Sequence, residues 1–145
     1  MSQAHVMFRA GGQSFAIASS IVHAIHDELA LQAVGDTQKW FLGLAVADGV
    51  LIPVTDFGSY LELPPASGRT LSLSPDVGVG ALRVDEVMGV DDTATKASNA
   101  ALPLELQANA PLFTYSLNTS TGEHWVLDVP RLLQSKRFVD IGVSA

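Results

Sequence analysis

The sequence of 145 residues contains no cysteine, and it carries only eight lysines and arginines against fifteen aspartates and glutamates. The absence of cysteine excludes a disulfide framework, a thiol nucleophile and a cysteine-ligated metal site. The net charge of −7 argues against a nucleic-acid partner, because binding phosphates requires clustered lysine and arginine and the basic residues are scattered along this chain. We therefore expect neither thiol chemistry nor nucleic-acid binding.

Long apolar runs are also missing. The longest, at residues 42–54, is interrupted by Asp48, Gly49 and Pro53 and is too short to cross a bilayer. Residues 1–15 show no basic stretch followed by an apolar one, so no secretion signal is predicted. These features predict a cytoplasmic protein without direct membrane insertion.

The sequence is rich in apolar residues: 48% are hydrophobic and 16% are charged, with a mean hydropathy of +0.29. This composition predicts a folded protein, and the length is that of one ordinary domain over residues 1–145. Because charged side chains are sparse, we expect apolar surface to remain available for partners.

Short apolar runs separated by turn residues dominate the chain and predict β-hairpins. Gly-Gly and Asp-Gly pairs favour tight hairpin turns because these residues tolerate positive φ. Such turns are predicted at Gly11 and Gly12, at Asp48 and Gly49, and within residues 118–122. In the second hairpin both strand faces are largely apolar, so both faces are expected to be covered.

The segments between the hairpins predict further short elements. A turn near Ser19 leads into a strand, Asp56 caps a short helix, and Pro130 stands near the start of another. Residues 69–74 alternate and predict a strand with one solvated face, whereas residues 91–99 are polar and predict a loop. Together these elements predict a mainly β, barrel-like domain.

Candidate reactive groups are few. Gly78 and Gly80 lack the spacing of a phosphate-binding loop and predict a bulge or a close backbone approach. The four histidines lie outside any carboxylate cluster and are predicted to be surface or edge residues. Trp40 and Trp125 are predicted to lie in the core. The sequence therefore predicts no catalytic residue, no cofactor and no metal.

Four segments carry a resemblance to a known family. They are FRAGGQSFAIASSIVHAI, WFLGLAVADGVLIPVTDFGSYLEL, VGVGALRVDEVMGV and LFTYSLNTSTGEHWVLDVPRLL. In their order and spacing, residues 6–133 resemble the CheW-like chemotaxis coupling proteins. The resemblance implies a mainly β fold of two packed five-stranded, SH3-like β-barrels with short helices. The two barrels share an apolar groove and are not separable as independent domains.

The resemblance also implies a function. Proteins of this family are non-enzymatic adaptors that join the cytoplasmic tip of a chemoreceptor to the regulatory domain of a chemotaxis histidine kinase. The segment Trp-Phe-Leu-Gly at residues 40–43 is similar to variants that serve type IV pilus or twitching-motility pathways. Two alternatives remain: a small-ligand-binding β-barrel with no kinase partner, and an enzyme, which would need titratable side chains that converge in one cleft.

One family motif, G-x-x-N-x-R-G-x-x-x-P-V-x-D, aligns with residues 43–56. Its asparagine falls on Val46 and its arginine on Asp48, and the glutamate of the family's V-x-E-I segment falls on Ala24. Because the family's arginine lies on the receptor-contact side, an acidic partner residue would now be repelled, and the receptor contact is expected to differ. The predicted partner-binding residues are Val22, Ala24, Leu44, Val46, Asp48, Val50 and Val87.

Overall fold

The structure is a computed structural model in which residues 3–97 and 101–142 are described. Within these ranges β-strands predominate, as the sequence predicts. The strands are β1 (His5–Ala10), β2 (Gln13–Ala18), β3 (Val22–His26), β4 (Phe41–Ala47), β5 (Val50–Asp56), β6 (Thr70–Leu73), β7 (Ala81–Arg83), β8 (Glu86–Asp91), β9 (Thr95–Lys96), β10 (Ser116–Thr119) and β11 (Gly122–Val126). The helices are α1 (Phe57–Tyr60), α2 (Val129–Gln134) and α3 (Lys136–Val139), with 3₁₀ segments at Ser19–Ile21 and Leu104–Leu112.

The strands form two sheets. The first sheet has the order β8-β1-β2-β11-β10-β9, and the second has the order β3-β6-β7-β5-β4. The pairs β2–β11 and β5–β7 are parallel, and the other pairs are antiparallel. The predicted mainly β fold is confirmed, although the first sheet has six strands rather than five. The sixth strand is β9. The loop predicted over residues 91–99 is therefore wrong at residues 95–96 and also at Asp91, which ends β8, and residues 98–99 lie outside the described ranges.

The three predicted hairpins are confirmed as β1–β2, β4–β5 and β10–β11. The turn residues Gly11 and Gly12 have φ values of 59° and 85°, and Asp48 and Gly49 have φ values of 50° and 77°. Two successive residues with positive φ are what a two-residue hairpin turn requires, and Gly and Asp are among the residues that adopt it at least cost.

The main core draws side chains from both sheets. Phe8 and Phe15 of the first sheet pack against Phe57, with ring centroids 5.8 and 5.1 Å away. Trp40 and Trp125 are each only 5% exposed, so their predicted place in the core is confirmed. Because one apolar cluster joins the two sheets, the hairpins of both are fixed relative to a common core.

Aspartate caps begin the two helices that the sequence predicts. The Asp56 carboxylate accepts the N–H of Ser59 at the start of α1, and the Asp128 carboxylate accepts the N–H of Arg131 at the start of α2. Pro130 stands in the first turn of α2, where its missing N–H leaves no bond unmade. None of the helices in the described part of the chain is both long and apolar enough to span a membrane.

The predicted solvated face of residues 69–74 is wrong. All four residues of β6 are buried, and β6 lies inside the sheet between β3 and β7. The Ser72 hydroxyl is accommodated by donating to the C=O of Ala24, 3.3 Å away. Serine alternates with leucine in this strand although it is buried, because the Ser72 hydroxyl has a hydrogen-bond partner within the protein and does not need water.

Two histidines that the sequence places at the surface or an edge are buried. His5 is 7% exposed and His124 is completely buried. In His124, Nδ1 donates to the C=O of Phe15 at 3.0 Å, and Nε2 accepts from the Thr121 hydroxyl at 2.9 Å. Burial lowers the pKa of His124, which holds the ring in its neutral form.

Candidate docking surface

The hairpin of β4 and β5 is buried at its base and exposed at its tip. Near the tip Val46 pairs with Leu51 across the two strands, and these side chains are 65% and 57% exposed. Val50, at the start of β5, is 51% exposed. The expectation that both faces of this hairpin are covered is therefore wrong at the tip. Val46 and Leu51 lie on one face of the hairpin, and Val50 lies on the other. We call Val46, Val50 and Leu51 the tip patch.

The base of the same hairpin is covered by a neighbouring segment of chain. Gln32 and Leu44 exchange two backbone hydrogen bonds of 2.7 and 2.9 Å, which occupy the outer edge of β4 at this point. Gly43 makes the approach possible, because its φ is 135° and a Cβ there would lie 2.5 Å from the Gln32 carbonyl oxygen. Pro53, which has no N–H to donate, lies opposite Leu44. Leu44 donates its own N–H to the Gln32 carbonyl and not to β5. The covered base thus holds the tip in a fixed direction.

The turn at the tip is tied to the far edge of the second sheet. His23 Nε2 lies 2.9 Å from Asp48 Oδ2, and these side chains are 45% and 69% exposed. His23 belongs to β3 and Asp48 follows β4, which are the two opposite edge strands of the sheet. The sheet therefore curls until its edges meet at this contact. An exposed pair of this kind contributes about 0–1 kcal/mol, so it orients the tip more than it stabilises the fold.

A small cleft lies between the turn and the core of the sheet. It has a volume of about 110 Å³, and its wall is mainly apolar. Val50 and Val79 stand at the cleft, and Val79 is 58% exposed. Gly78 also lines it, and a Cβ there would lie 2.6 Å from Leu133 Cδ1, which is the close approach that the sequence predicts. The cleft is smaller than typical small-ligand pockets of roughly 300–1,000 Å³.

A second histidine contact near the cleft has a structural role. His26 Nε2 lies 3.1 Å from Ser72 Oγ, and the Ser72 hydroxyl donates its proton to the C=O of Ala24. The histidine N–H is consequently the donor to Ser72. A hydroxyl whose proton is bound to a backbone oxygen is not activated as a nucleophile by that histidine. These bonds join β3 to β6 and so support the strand that carries His23.

The structure places three of the predicted partner-binding residues at the hairpin tip, and the other four are more buried. Val46, Asp48 and Val50 lie at the hairpin tip. Val22 and Leu44 are half-buried and pack against the main core, and Ala24 is half-buried in β3. Val87 lies in β8 of the first sheet, beside a different cleft that Arg69 and Asp27 also line.

Sequence reasoning missed Leu51 and His23 as parts of this surface. The signal for Leu51 was available, because a two-residue turn at Asp48 and Gly49 pairs Val46 with Leu51 and places them on one face. No local signal identifies His23, since its contact with Asp48 joins residues 25 positions apart in the chain.

Comparisons with known proteins show the family and the fold. The sequence matches the CheW-like domain family over residues 4–137. The fold is similar to the crystal structure of the scaffolding protein TtCheW from Thermoanaerobacter tengcongensis, with a TM-score of 0.69 and 13% sequence identity over 88% of this chain and 90% of that chain. A search of curated protein sequences finds no significant match.

Proposed function

The chain belongs to the CheW-like domain family, and on that premise we propose that it is a non-enzymatic scaffold in a chemotaxis-type signalling system. It couples the cytoplasmic tip of a chemoreceptor to the regulatory domain of a histidine kinase. The observation that carries the proposal is the family match over residues 4–137, which includes both sheets and the whole of the β4–β5 hairpin. Residues 1–145 act as one unit in this role.

The tip patch supplies a surface suited to such coupling. Three apolar side chains that are each more than half exposed lie within six consecutive residues, on a hairpin whose base is fixed. Such exposed apolar groups are typical of interaction sites, and transient signalling contacts need only modest areas. We place the receptor contact at Val46, Asp48 and Val50, with Leu51 added. Val22, Ala24 and Leu44 are the less exposed residues of the proposed surface, and Val87 is a separate proposed contact on the first sheet.

The charge at the turn determines the kind of receptor surface that fits. Asp48 is mostly exposed and carries a negative charge, and His23 is its contact within the chain. A receptor tip with lysine or arginine opposite Asp48 is attracted, whereas an acidic residue there is repelled. We propose that this chain is matched to a receptor with a basic residue at that place.

We also propose that the pathway is one of type IV pilus or twitching motility, on the basis of residues 40–43. Trp40 and Phe41 are 5% and 6% exposed, so they stabilise the core and do not touch a partner. The choice of partner is therefore made by exposed residues such as Val46 and Asp48.

We propose that this scaffold acts in the cytoplasm, where receptor tips and kinases meet, and that it does not insert into the membrane.

The alternative of a small-ligand-binding β-barrel has less support. The apolar cleft beside the turn has a volume of about 110 Å³, which is below the size of pockets that enclose a small molecule. A larger cleft of about 460 Å³ is open and is formed by α2, α3 and the Leu104–Leu112 segment, not by the strands of a barrel. The position of the apolar cleft next to Val50 and Val79 suits it better to receive a single apolar side chain from a protein partner.

Reconstitution tests the proposal. The purified chain is mixed with a receptor cytoplasmic fragment and a kinase regulatory domain from the same organism, and complexes are separated by size-exclusion chromatography. We expect one complex that contains all three proteins and is lost when this chain is omitted. Assembly of receptor and kinase to the same extent without this chain would contradict the proposal, as would failure of the chain to bind either protein.

A further inference from the structure

Most of the basic residues are scattered along the sequence, but three of them lie close together in its last part. Arg131, Lys136 and Arg137, three of the eight lysines and arginines, lie within seven consecutive residues of α2 and α3. Arg131 and Arg137 line one cleft of about 460 Å³ between α2, α3 and the 3₁₀ segment Leu104–Leu112. Among the described residues that line this cleft, none is acidic.

Arg137 is held in place by the core. One guanidinium nitrogen donates to the C=O of Tyr60 at 2.6 Å, and the guanidinium carbon lies 4.2 Å from the centroid of the Tyr60 ring. That ring in turn packs edge-on against Trp40 and Phe138, with centroids 5.1 and 5.4 Å away. Because the guanidinium is positioned before any ligand arrives, little side-chain entropy is lost when its other N–H groups bind an anion.

Arg131 has most of its donors available to a ligand. Its Nε lies 3.8 Å from Asp128 Oδ2, which is too long for a hydrogen bond, and the side chain is 58% exposed. Gln134 and Ser135 line the same cleft and add polar groups between the two arginines. Paired guanidinium groups with neighbouring hydrogen-bond donors are the pattern that recognises carboxylates and other oxyanions.

The shape of the surface favours an extended ligand. The cleft is open, and Arg137 also lines an adjoining cleft of about 360 Å³ together with Gln38, Lys136 and Asp140. The basic surface therefore continues from Arg131 past Arg137 to Lys136. A ligand with carboxylates spaced along a chain reaches several of these positions, whereas a compact anion reaches one.

We propose that the cleft between the Leu104–Leu112 segment and α2–α3 binds an acidic peptide segment of a partner protein. Carboxylates of that segment pair with the guanidinium groups of Arg131 and Arg137. The site is formed by other elements than the β4–β5 hairpin, and the inference does not depend on the role proposed for the tip patch. Since the protein as a whole carries a charge of −7, an acidic peptide is repelled elsewhere and held only where the basic groups are concentrated.

Fluorescence anisotropy with a labelled peptide of alternating glutamate and serine tests the site in the full chain at low ionic strength. We expect saturable binding that weakens with added salt, and no binding of the matched peptide with glutamine in place of glutamate. Arg131→Gln should weaken binding about tenfold, because a charge-assisted contact is lost. Arg131 is chosen because Arg137 is bonded to the Tyr60 backbone, so its removal would also disturb the fold.

Two variants make the result specific. Arg69→Gln removes another half-exposed arginine that faces an aspartate, Asp27, and should leave peptide binding unchanged. Asp128→Asn keeps the helix cap but removes the carboxylate beside Arg131, and should strengthen binding. Equal losses in Arg131→Gln and Arg69→Gln would overturn the proposal, as would the absence of peptide binding. Displacement of the peptide by an equal concentration of free phosphate or glutarate would show a small-anion site and would overturn the peptide assignment.

Discussion

Substitutions of Asp48 should change receptor affinity while leaving the fold intact. We expect Asp48→Arg to lower receptor affinity by about tenfold or more, because an arginine at the exposed end of the hairpin would repel the basic residue proposed on the receptor. Asp48→Asn removes the charge alone and should have an intermediate effect. Asparagine is the matched control, since it also tolerates the positive φ of 50° at this position.

Both substitutions should lower the free energy of unfolding only slightly. The contact between Asp48 and His23 is exposed and contributes about 0–1 kcal/mol. Arginine at positive φ adds about 1 kcal/mol of backbone strain, whereas asparagine adds little. The sum for Asp48→Arg is therefore about 1–2 kcal/mol, which is small beside the roughly 5–15 kcal/mol of a typical domain. We expect the melting temperature to fall by only a few degrees.

The assay combines two measurements on the same variants. Thermal denaturation followed by circular dichroism reports the fold, and isothermal titration with a receptor cytoplasmic fragment reports affinity. His23→Gln is included because it removes the same contact from the other side while leaving the Asp48 charge, and it should alter affinity less than Asp48→Arg. Asp48 is not part of the receptor contact if Asp48→Arg binds the receptor with the affinity of the unmodified protein. The expectation of an intact fold is wrong if Asp48→Arg loses affinity because it no longer unfolds in a cooperative melting transition.

Three further changes test the account of the fold. Asp56→Ala removes a buried carboxylate that accepts three hydrogen bonds at and beyond the start of α1, and should lower the free energy of unfolding by about 2–4 kcal/mol in urea denaturation. Gly43→Ala would place a Cβ 2.5 Å from the Gln32 carbonyl oxygen and should cost more than about 2 kcal/mol, whereas Gly12→Ala, where φ is also positive but the space is open, should cost about 1 kcal/mol. Because burial lowers the folded-state pKa of His124, stability is complete above the unfolded pKa of about 6.5 and should fall as the pH drops below it. That fall should be smaller in His124→Asn, measured by urea denaturation at pH 7 and pH 5.5, and an equal fall in both proteins would refute the assignment.

Features that depend on a few neighbouring residues could be predicted from the sequence. The turns at Gly11 and at Asp48 follow from the positive φ that these residues tolerate. The cap at Asp56 follows from a carboxylate placed ahead of a helical turn, and the start of α2 follows from Pro130. These local rules were sufficient for all three hairpins and for the starts of α1 and α2. The hairpins and short strands predict a mainly β domain by themselves, and the family resemblance adds the expectation of two packed barrels.

Features that depend on distant segments could not be predicted. His124 is buried because Phe15, 109 residues away, supplies the carbonyl that its ring needs. Ser72 is buried, and the carbonyl that accepts its hydroxyl proton belongs to Ala24, 48 residues away in the chain. The same limit applies to the candidate surface, where apolar content alone suggested a covered hairpin. The segment that pairs with β4 at Leu44 comes from Gln32, twelve positions earlier in the chain, and Val46, two residues nearer the turn, is exposed.

The proposed docking role of the tip patch is tested most directly by a single charged substitution in it. Val46→Glu is compared with Val139→Glu, since both valines are exposed, at 65% and 61%, and neither substitution opens the core. The affinity of each variant for the receptor cytoplasmic fragment is measured by isothermal titration, with thermal denaturation as the check on folding. We expect at least a tenfold loss of receptor affinity for Val46→Glu, no change in affinity for Val139→Glu, and an unaltered melting temperature for both variants. Receptor binding by Val46→Glu at the affinity of the unmodified protein would contradict the docking role of the tip patch.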